Sequence, residues 1–496
     1  MTYLKKGLKG VSLLFITTIL ATLIGYITRA VLARSLQPEQ FGLFYAVLSL
    51  MTFILIFTNF GFGSSLTKHV SEFVSKKDRN AMKTVIVFVS SIKLGLAVIA
   101  SLILFFLSKF LAANYFKNPV AEVLLLFFAV ILIISTFNSL LLNIFNGLQK
   151  YFLMGGIQLF EKIMFLVFVL VFVYSGFTKN ASLATFAYLV ALALTGLVFV
   201  FVMLRQTRLS RLKFSPSKKL FKKLSSFASA SFLTSVSRVV IGYIDTLMLT
   251  FFTTLAQVGV YNVVYPTVLM LTVVGKAVNN VIFPMSSELW AKGLKDKLKA
   301  GMMMIQRVIL VVLIPLALVL LIFPKLIITL LFGAPYASGY FAMQILALGV
   351  IFASMGTVYY SVLKGIGKPL EVTKIVGIGA VFNIVMNLIL IPIWGIEGAA
   401  LTTTLSYLLM LILASFKLKK FVSVPLNPSM WLRLVIGAVV FVVVVYFLNS
   451  LLTFNVYLAA VLSLIVGALA YLVVCKYLKL ITLKEINFFI KQLTHK

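Results

Sequence analysis

Residues 84–108 read TVIVFVSSIKLGLAVIASLILFFLS, twenty-five positions that carry one charge, Lys93. A helix rises about 1.5 Å per residue, so roughly 20 apolar residues cross a hydrocarbon core of about 30 Å. This run is long enough, and its composition leaves no polar face for water. Strands of a membrane barrel would instead alternate apolar and polar residues over about ten positions. The stretch therefore predicts a transmembrane helix.

Comparable runs lie near 11–33, 42–62, 121–145, 152–176, 183–204, 225–251, 258–284, 304–324, 339–363, 372–394, 398–416, 431–452 and 455–475. They predict an all-α polytopic membrane protein of about fourteen transmembrane helices. The first run follows Lys5, Lys6 and Lys9 as a signal peptide would, but it reaches Arg29 without a small-residue cleavage pattern. It reads as a retained helix.

Composition agrees. The chain of 496 residues is 62% hydrophobic and 11% charged, against roughly 25% charged residues in a soluble domain. A formal charge of +33 would suggest nucleic acid in a soluble protein. Here its location makes it a topology signal, because cytoplasmic loops collect Lys and Arg. With the N-terminus inside, the inner loops hold Lys68, Lys76, Lys77, Arg79 and Lys83, then Lys150, then eight basic residues between 205 and 223. Further inner groups follow at Lys292–Arg307, Lys364–Lys374, Lys417–Arg433 and from Lys476 onward, while outer segments hold Arg34, Lys109, Lys117, Lys179 and Lys325. The alternation stays in phase to the end, which predicts both termini in the cytoplasm. The single Cys475 excludes an internal disulfide, and two histidines, His69 and His495, leave no histidine metal cluster.

The chain also repeats itself. Phe41-Gly42-Leu43-Phe44 matches Val258-Gly259-Val260-Tyr261 at an offset of 217, and Ser71-Glu72-Phe73 matches Ser287-Glu288-Leu289 at 216. Phe116-Lys117-Asn118-Pro119 matches Phe332-Gly333-Ala334-Pro335 at 216, and Asn146-Gly147-Leu148-Gln149-Lys150 matches Lys364-Gly365-Ile366-Gly367-Lys368 at 218. Six spans per half is an even number, so both halves enter the membrane in the same direction. Parallel repeats of this kind place substrate at the interface between them. The predicted organisation is a six-helix lobe over 1–204, a basic cytoplasmic linker over 205–224, a second six-helix lobe over 225–416, two appended helices over 417–478 and a cytoplasmic tail over 479–496.

Three segments carry a resemblance. Arg29-Ala30-Val31-Leu32-Ala33-Arg34-Ser35-Leu36-Gln37-Pro38-Glu39-Gln40-Phe41-Gly42 resembles the end of the first helix in polysaccharide and lipid-linked oligosaccharide flippases. Tyr243-Ile244-Asp245-Thr246-Leu247-Met248-Leu249, followed by Val258-Gly259-Val260-Tyr261, resembles the matching part of their second half. Asn383 and Asn387, then Ile391-Pro392 and Gly395-Ile396-Glu397-Gly398-Ala399-Ala400, are similar to their eleventh-to-twelfth helix junction. The resemblance covers roughly residues 5–416. The wider superfamily includes multidrug and toxin extrusion carriers and lipid II flippases. It implies two six-helix lobes around a central cavity, alternating access, and a polyprenyl (pyro)phosphate-linked sugar flipped from the inner to the outer leaflet.

Charges within spans narrow the site. Each costs about 2.5–3.5 kcal/mol at mid-membrane, so each faces a cavity or a partner. Arg238 lies roughly 20 Å into its span, and Lys93, Glu161 and Lys162 lie near mid-depth. Arg238 and Asp245 are seven residues apart and share a helix face. Through the repeat, Asp245 matches position 28, beside Arg29. Arg29 and Asp245 are therefore expected to approach each other and to help close the outer end of the cavity. Arg29, Lys93 and Arg238 are candidates for a phosphate-bearing substrate, because a guanidinium grips phosphate oxygens with paired hydrogen bonds. Asn383 and Asn387, four apart, are candidates for sugar hydroxyls, with interhelical hydrogen bonding as the structural alternative. Asp245 and Glu161 are candidates for gating or for carrying a coupling proton or sodium ion. Glu161 and Lys162 are adjacent, point about 100° apart, and are expected to need other partners.

The expected partners are thus a lipid-linked oligosaccharide, membrane lipids and a coupling ion, with no cofactor, metal or nucleic acid. Eleven acids in all and short loops leave no catalytic carboxylate site or nucleotide motor, so the chain reads as a cell-membrane carrier and not an enzyme. An ion-coupled exporter of organic cations is the runner-up, followed by a lipid II flippase. The balance of Arg29, Lys93, Lys162 and Arg238 against Glu161 and Asp245 favours an anionic substrate.

Overall fold

The computed structural model of the protein describes residues 2–175, 179–207, 212–422, 428–452 and 455–480. Within its helices, the side chains at 2–13, 230, 233–235, 237, 238, 276–278 and 280 fall outside that description. The described elements are α1 (Thr2–Ser35), α2 (Pro38–Asn59), α3 (Phe62–Ser75), α4 (Arg79–Asn114), α5 (Val120–Gly147), α6 (Tyr151–Tyr174), α7 (Ala181–Thr207) and α8 (Lys218–Phe252). They continue with α9 (Leu255–Leu269), α10 (Thr272–Ala291), α11 (Lys295–Ile322), α12 (Pro324–Phe332), a 3-10 turn (Ala334–Gly339), α13 (Tyr340–Gly365), α14 (Pro369–Lys419), α15 (Pro428–Leu451) and α16 (Val456–Tyr477). The fold is all-α.

Twelve helices among the described residues are long and apolar enough to cross a membrane. Two places account for the difference from about fourteen. α14 is a single run of 51 residues that turns at Gly395 (φ 54°, ψ −126°). Straight, it would extend about 76 Å, more than two hydrocarbon thicknesses. It is two spans joined at a residue whose backbone favours glycine. In α8 the apolar stretch among the described residues is Val239–Phe252, too short to be counted by itself.

The helices show the lipid-facing pattern that composition requires. On α4 the buried positions Val85, Val89, Lys93, Ala97, Ser101, Leu104 and Ser108 recur every three or four residues and form one stripe. The opposite face exposes Ile103, Phe106 (77%) and Phe110, which only an apolar solvent would favour.

The chain forms two compact units. Unit 1 contains Met1–Val263 and Leu331–Tyr336; unit 2 contains Val264–Leu330 and Ala337–Lys496. α8 and the first turns of α9 belong to unit 1, although the repeat counts them with the second half. Their place follows from α8 packing on α2 and α3. α2 ends at Phe60 and Gly61, both left-handed (φ 35° and 72°). A Cβ on Gly61 would overlap the Ala228 carbonyl oxygen of α8, so this break lies directly against the α8 backbone. Unit 2 is built on α13 against α14, α10 and α11, with α15 and α16 paired beside α11.

The basic linker is partly helical: α7 continues to Thr207 and α8 begins at Lys218. Between them, the Lys83 ammonium donates to the Leu212 carbonyl (2.6 Å), and the Ser215 amide donates to Thr84 Oγ1 (3.0 Å). The linker is therefore held against the start of α4.

The internal repeat appears in the backbone itself. Lys77 and Gly293 (φ 57° and 70°), Lys117 and Gly333 (52° and 105°), and Gln149 and Gly367 (56° and 79°) are left-handed in pairs. Their offsets are 216, 216 and 218. Packing repeats too. A Cβ on Gly147 would lie 2.8 Å from Val70 Cβ and 2.9 Å from the Thr67 oxygen. One on Gly365 would lie 2.7 Å from Ser286 Cβ and 2.9 Å from the Phe283 oxygen, the residues 216 positions on. Each unit also carries the same i,i+4 ion pair, Glu72–Lys76 and Glu288–Lys292.

Candidate functional site

Arg29 occupies the last third of α1, in unit 1. Its guanidinium carbon lies 4.0 Å from the centroid of the Tyr45 ring on α2, a cation–π distance. Its Nη1 donates to the backbone carbonyl of Asn262 on α9. The Asn262 side chain donates in turn to Thr246 Oγ1 (3.3 Å) and to the Val258 carbonyl (3.0 Å). Next to it, the Tyr261 hydroxyl donates to Asp245 Oδ2 at 2.7 Å. Asp245 is buried at 3% exposure and Tyr261 completely. Arg29 and Asp245 thus engage consecutive residues of one helix, and four elements (α1, α2, α8 and α9) meet there.

A second pair of charges, on α6, borders α1. Lys162 Nζ lies 2.8 Å from Glu161 Oε1. The expectation that these neighbours need other partners is corrected. Both side chains are long enough to bend across the 100° between them, and low dielectric strengthens the attraction. A Cβ on Gly25 would lie 3.7 Å from Lys162 Cδ, so the lysine passes α1 at a residue without a side chain. Gly25 and Arg29 are four apart and share one face of α1. Tyr45 and Tyr188 lie within electrostatic reach of this pair. The result is a cluster of arginine, lysine, glutamate and tyrosine hydroxyls inside a helical unit whose outside is apolar. Such a cluster can hold an anion on its cations, and it can move a proton through its carboxylates and hydroxyls.

The other predicted residues fall elsewhere. Lys93 is 1% exposed and donates to Ser139 Oγ at 3.2 Å. Ser139 belongs to a chain of polar side chains in which Asn143 donates to the Ser139 carbonyl (2.6 Å) and Thr67 donates to Asn143 (3.2 Å). Lys93 is enclosed between α4 and α5. Arg238 lies on α8, and its side chain is outside the described residues. Asn383 and Asn387 belong to unit 2, at 1% and 0% exposure. Asn387 Nδ2 donates to Asn383 Oδ1 (3.2 Å), and Asn383 Nδ2 donates to Thr403 Oγ1 (3.4 Å). They tie the two arms of α14 together. Among the described residues, no three His, Cys, Asp or Glu side chains form a metal-ligating group.

Sequence reasoning missed Tyr45, Thr246, Tyr261 and Asn262. A signal was present. Tyr45 and Asn262 are 217 positions apart, the offset of the repeat, and Arg29 contacts both. Tyr261 closes the Val258-Gly259-Val260-Tyr261 match itself.

Comparison with known proteins gives a consistent picture. The profile of the family described as "Polysaccharide biosynthesis protein" matches residues 8–290, and the one described as MatE matches residues 230–389. An uncharacterized membrane protein of Methanocaldococcus jannaschii is 29% identical, over 99% of both chains. A probable low-salt glycan biosynthesis flippase of Haloferax volcanii is 22% identical, over 92% of this chain and 93% of that protein. Among solved structures, the lipid II flippase MurJ in an inward closed conformation superposes with a TM-score of 0.77 at 15% identity, covering 94% of this chain and 98% of that one. That likeness is one of fold.

Proposed function

Because this chain belongs to the polysaccharide biosynthesis protein family, we propose that it is a flippase. It moves a polyprenyl (pyro)phosphate-linked oligosaccharide from the cytoplasmic to the outer leaflet of the cell membrane, with both termini cytoplasmic. The observation that carries this reading is Arg29, stacked on Tyr45 and bound to α9, with Lys162 passing Gly25 one turn earlier on α1. A diphosphate crossing the membrane needs cations in a low-dielectric path. Arginine supplies two parallel hydrogen bonds to phosphate oxygens, and the tyrosine face holds its plane in place while the site is empty.

Arg238, Lys93, Asn383 and Asn387 complete the proposed set. Arg238, on α8, is the further cation proposed for the phosphates. Lys93, enclosed behind α4, adds positive potential that a low dielectric barely screens. Asn383 and Asn387 present amides to sugar hydroxyls when the arms of α14 part. Asp245 and Glu161 serve as gate or coupling groups: protonating Asp245 would weaken its contact with Tyr261 between α8 and α9, and protonating Glu161 would release Lys162 beside α1. Alternating access then exchanges contacts between repeat-related elements. Two relatives support this reading by their names, one a glycan biosynthesis flippase and the other a lipid II flippase.

One observation favours a second reading. The MatE profile matches residues 230–389, and Asp245 and Glu161 would suit an ion-coupled exporter of organic cations. Liposomes separate the two. Purified protein with a fluorescent undecaprenyl- or dolichyl-diphosphate-linked sugar should exchange that lipid between leaflets faster than empty liposomes. Proton- or sodium-driven efflux of an organic cation, with no lipid exchange, would instead establish the exporter.

A further inference from the structure

Left-handed residues bound α3 on both sides, Phe60 and Gly61 before it and Lys77 after it. This short helix is not among the membrane-spanning ones, yet it holds a completely buried histidine, His69. Nδ1 of His69 lies 2.8 Å from the Ser65 carbonyl oxygen. A carbonyl only accepts, so Nδ1 carries the ring proton and Nε2 presents a lone pair. Among the described residues Nε2 meets no hydrogen-bond partner. A second proton, placed on Nε2, would be a buried charge with nothing to accept from it.

The ring stands in the contact between α3 and α8. It meets Phe227 edge to face, with centroids 6.0 Å apart, and Lys68 Nζ lies 4.0 Å from the same Phe227 ring. Ser65 Oγ donates to the Leu224 carbonyl (3.0 Å), and Lys223 Nζ reaches Glu72 at 2.9 Å. The charges around the histidine mostly oppose a second proton. Lys68 on α3 and Lys223 on α8 repel it; Glu72 attracts it, but Lys76 and Lys223 already hold that carboxylate. α4 brings Arg79, Lys83, Lys93 and Lys109, and its capping Asp78 accepts from the Ala81 amide. The one charge of α5, Glu122, stands in its first turn, and the one acid of α8, Asp245, follows Phe227 by eighteen residues. Burial above all, with the two lysines, holds the imidazole below its ordinary 6.5.

The other half of the repeat has no titrating group at this place. At the offset of 216 that relates Glu72 to Glu288, His69 corresponds to Met285 on α10. The Met285 sulfur packs 3.2 Å from where a Cβ on Gly301 would lie. The fold thus accommodates an uncharged chain here, and the histidine gives unit 1 something that packing does not require. We infer that His69 is a proton-binding latch: neutral, it seats α3 against α8, and a proton taken up at Nε2 releases α3 from that seat. The imidazolium is stable only where water reaches Nε2, so proton uptake accompanies opening. The closed contact therefore loses stability as pH falls through the ordinary histidine value of about 6.5. The latch lies within unit 1, and it holds equally for a flippase or for an organic-cation exporter.

Amide hydrogen exchange of the full chain in detergent tests it, at about pH 8 and pH 5.5 and corrected for the intrinsic rate. Glu72 stays ionised across that window, since its carboxyl lies at about 2 in the fold and at 4.5 ordinarily. Protection of the α3 amides should fall about tenfold between the two pH values, the factor for one proton bound in the open state alone. In His69→Met, the residue that the repeat places there, α3 protection should stay within about twofold. Histidine-labelled NMR of the wild type gives a second reading that needs no variant, and the His69 ring should titrate below about 6.5. Wild-type α3 protection that is the same at both pH values would overturn the latch, as would an equal fall in His69→Met. So would a His69 ring that titrates at or above its ordinary value.

Discussion

Gly42 and Gly259 lie back to back where α2 crosses α9 in unit 1. A Cβ on Gly42 would overlap the Leu255 carbonyl oxygen, and one on Gly259 would overlap that of Pro38. The two glycines are 217 positions apart, equivalent members of the repeat. The internal duplication is thus packed against itself, and the residues that made it visible in the sequence form the crossing. Three positions on from each glycine stand Tyr45 and Asn262, the two residues that hold Arg29.

The crossing makes the first prediction. Gly42→Ala or Gly259→Ala places a methyl against backbone, which cannot swing aside as a side chain would. Each should destabilise the protein by about 1–3 kcal/mol or more. The double variant should cost less than the sum, because the first separation of the helices makes room for the second methyl. Thermal melts of the three variants check this, and additivity would argue that the helices do not share one contact.

Repeat equivalence makes a second. Gly147→Ala and Gly365→Ala meet nearly the same obstacles in their own units, a side-chain Cβ at 2.8 or 2.7 Å and a carbonyl oxygen at 2.9 Å. Their losses in melting temperature should agree within about twofold.

Tyr261→Phe removes the 2.7 Å hydrogen bond to Asp245 and leaves part of a buried carboxylate unsatisfied. The expected cost is about 1–3 kcal/mol. In a double-mutant cycle with Asp245→Asn the penalty should largely vanish, since the amide needs the hydroxyl less. A full penalty in the Asn background would show that the tyrosine acts through something other than the carboxylate.

Lys93 separates stability from function. The ammonium is buried and bonded to Ser139, so Lys93→Met exchanges a desolvated charge for an apolar chain of similar length. Stability should hold within about 1 kcal/mol or rise, while lipid exchange falls. Unchanged exchange would remove Lys93 from the proposed set.

At the basic end of unit 1, the Lys76 ammonium and then that of Lys223 hold the Glu72 carboxyl well below its ordinary 4.5, at about 2. A carboxyl depressed in the folded state contributes stability above its unfolded value, and loses it as pH falls through the folded one. Wild type should therefore melt about 1–2 °C above Glu72→Gln at pH 6. The gap should narrow from pH 4.5 downward and close below about pH 2. A gap that stays constant across that range would mean the ion pairs contribute nothing.

Much of the fold is legible in the sequence because hydrocarbon tolerates so few solutions. Runs such as 84–108 could only be spans. The elements that escaped are those too short or too polar to look like spans. α3 carries Lys68, His69 and Glu72 within 14 residues, and α12 is nine residues long. The turn at Gly395 was hidden because the apolar sequence runs on through it. In the site, Arg29 and Asp245 were legible as costly charges. Their partners were not, because tyrosine, threonine and asparagine on an apolar helix are ordinary until the repeat sets Tyr45 and Asn262 at equivalent positions. Glu161 and Lys162 were misread because helix angle describes where side chains start, not how far they reach.

The most direct test of the central claim is the initial rate of leaflet exchange of a polyprenyl-diphosphate-linked sugar, for wild type and Arg29→Ala in matched liposomes. If the guanidinium grips the phosphates, wild type exceeds empty liposomes, and the variant loses about tenfold or more while remaining folded. Equal rates for the two proteins, or no exchange by wild type with several such lipids, would contradict the account.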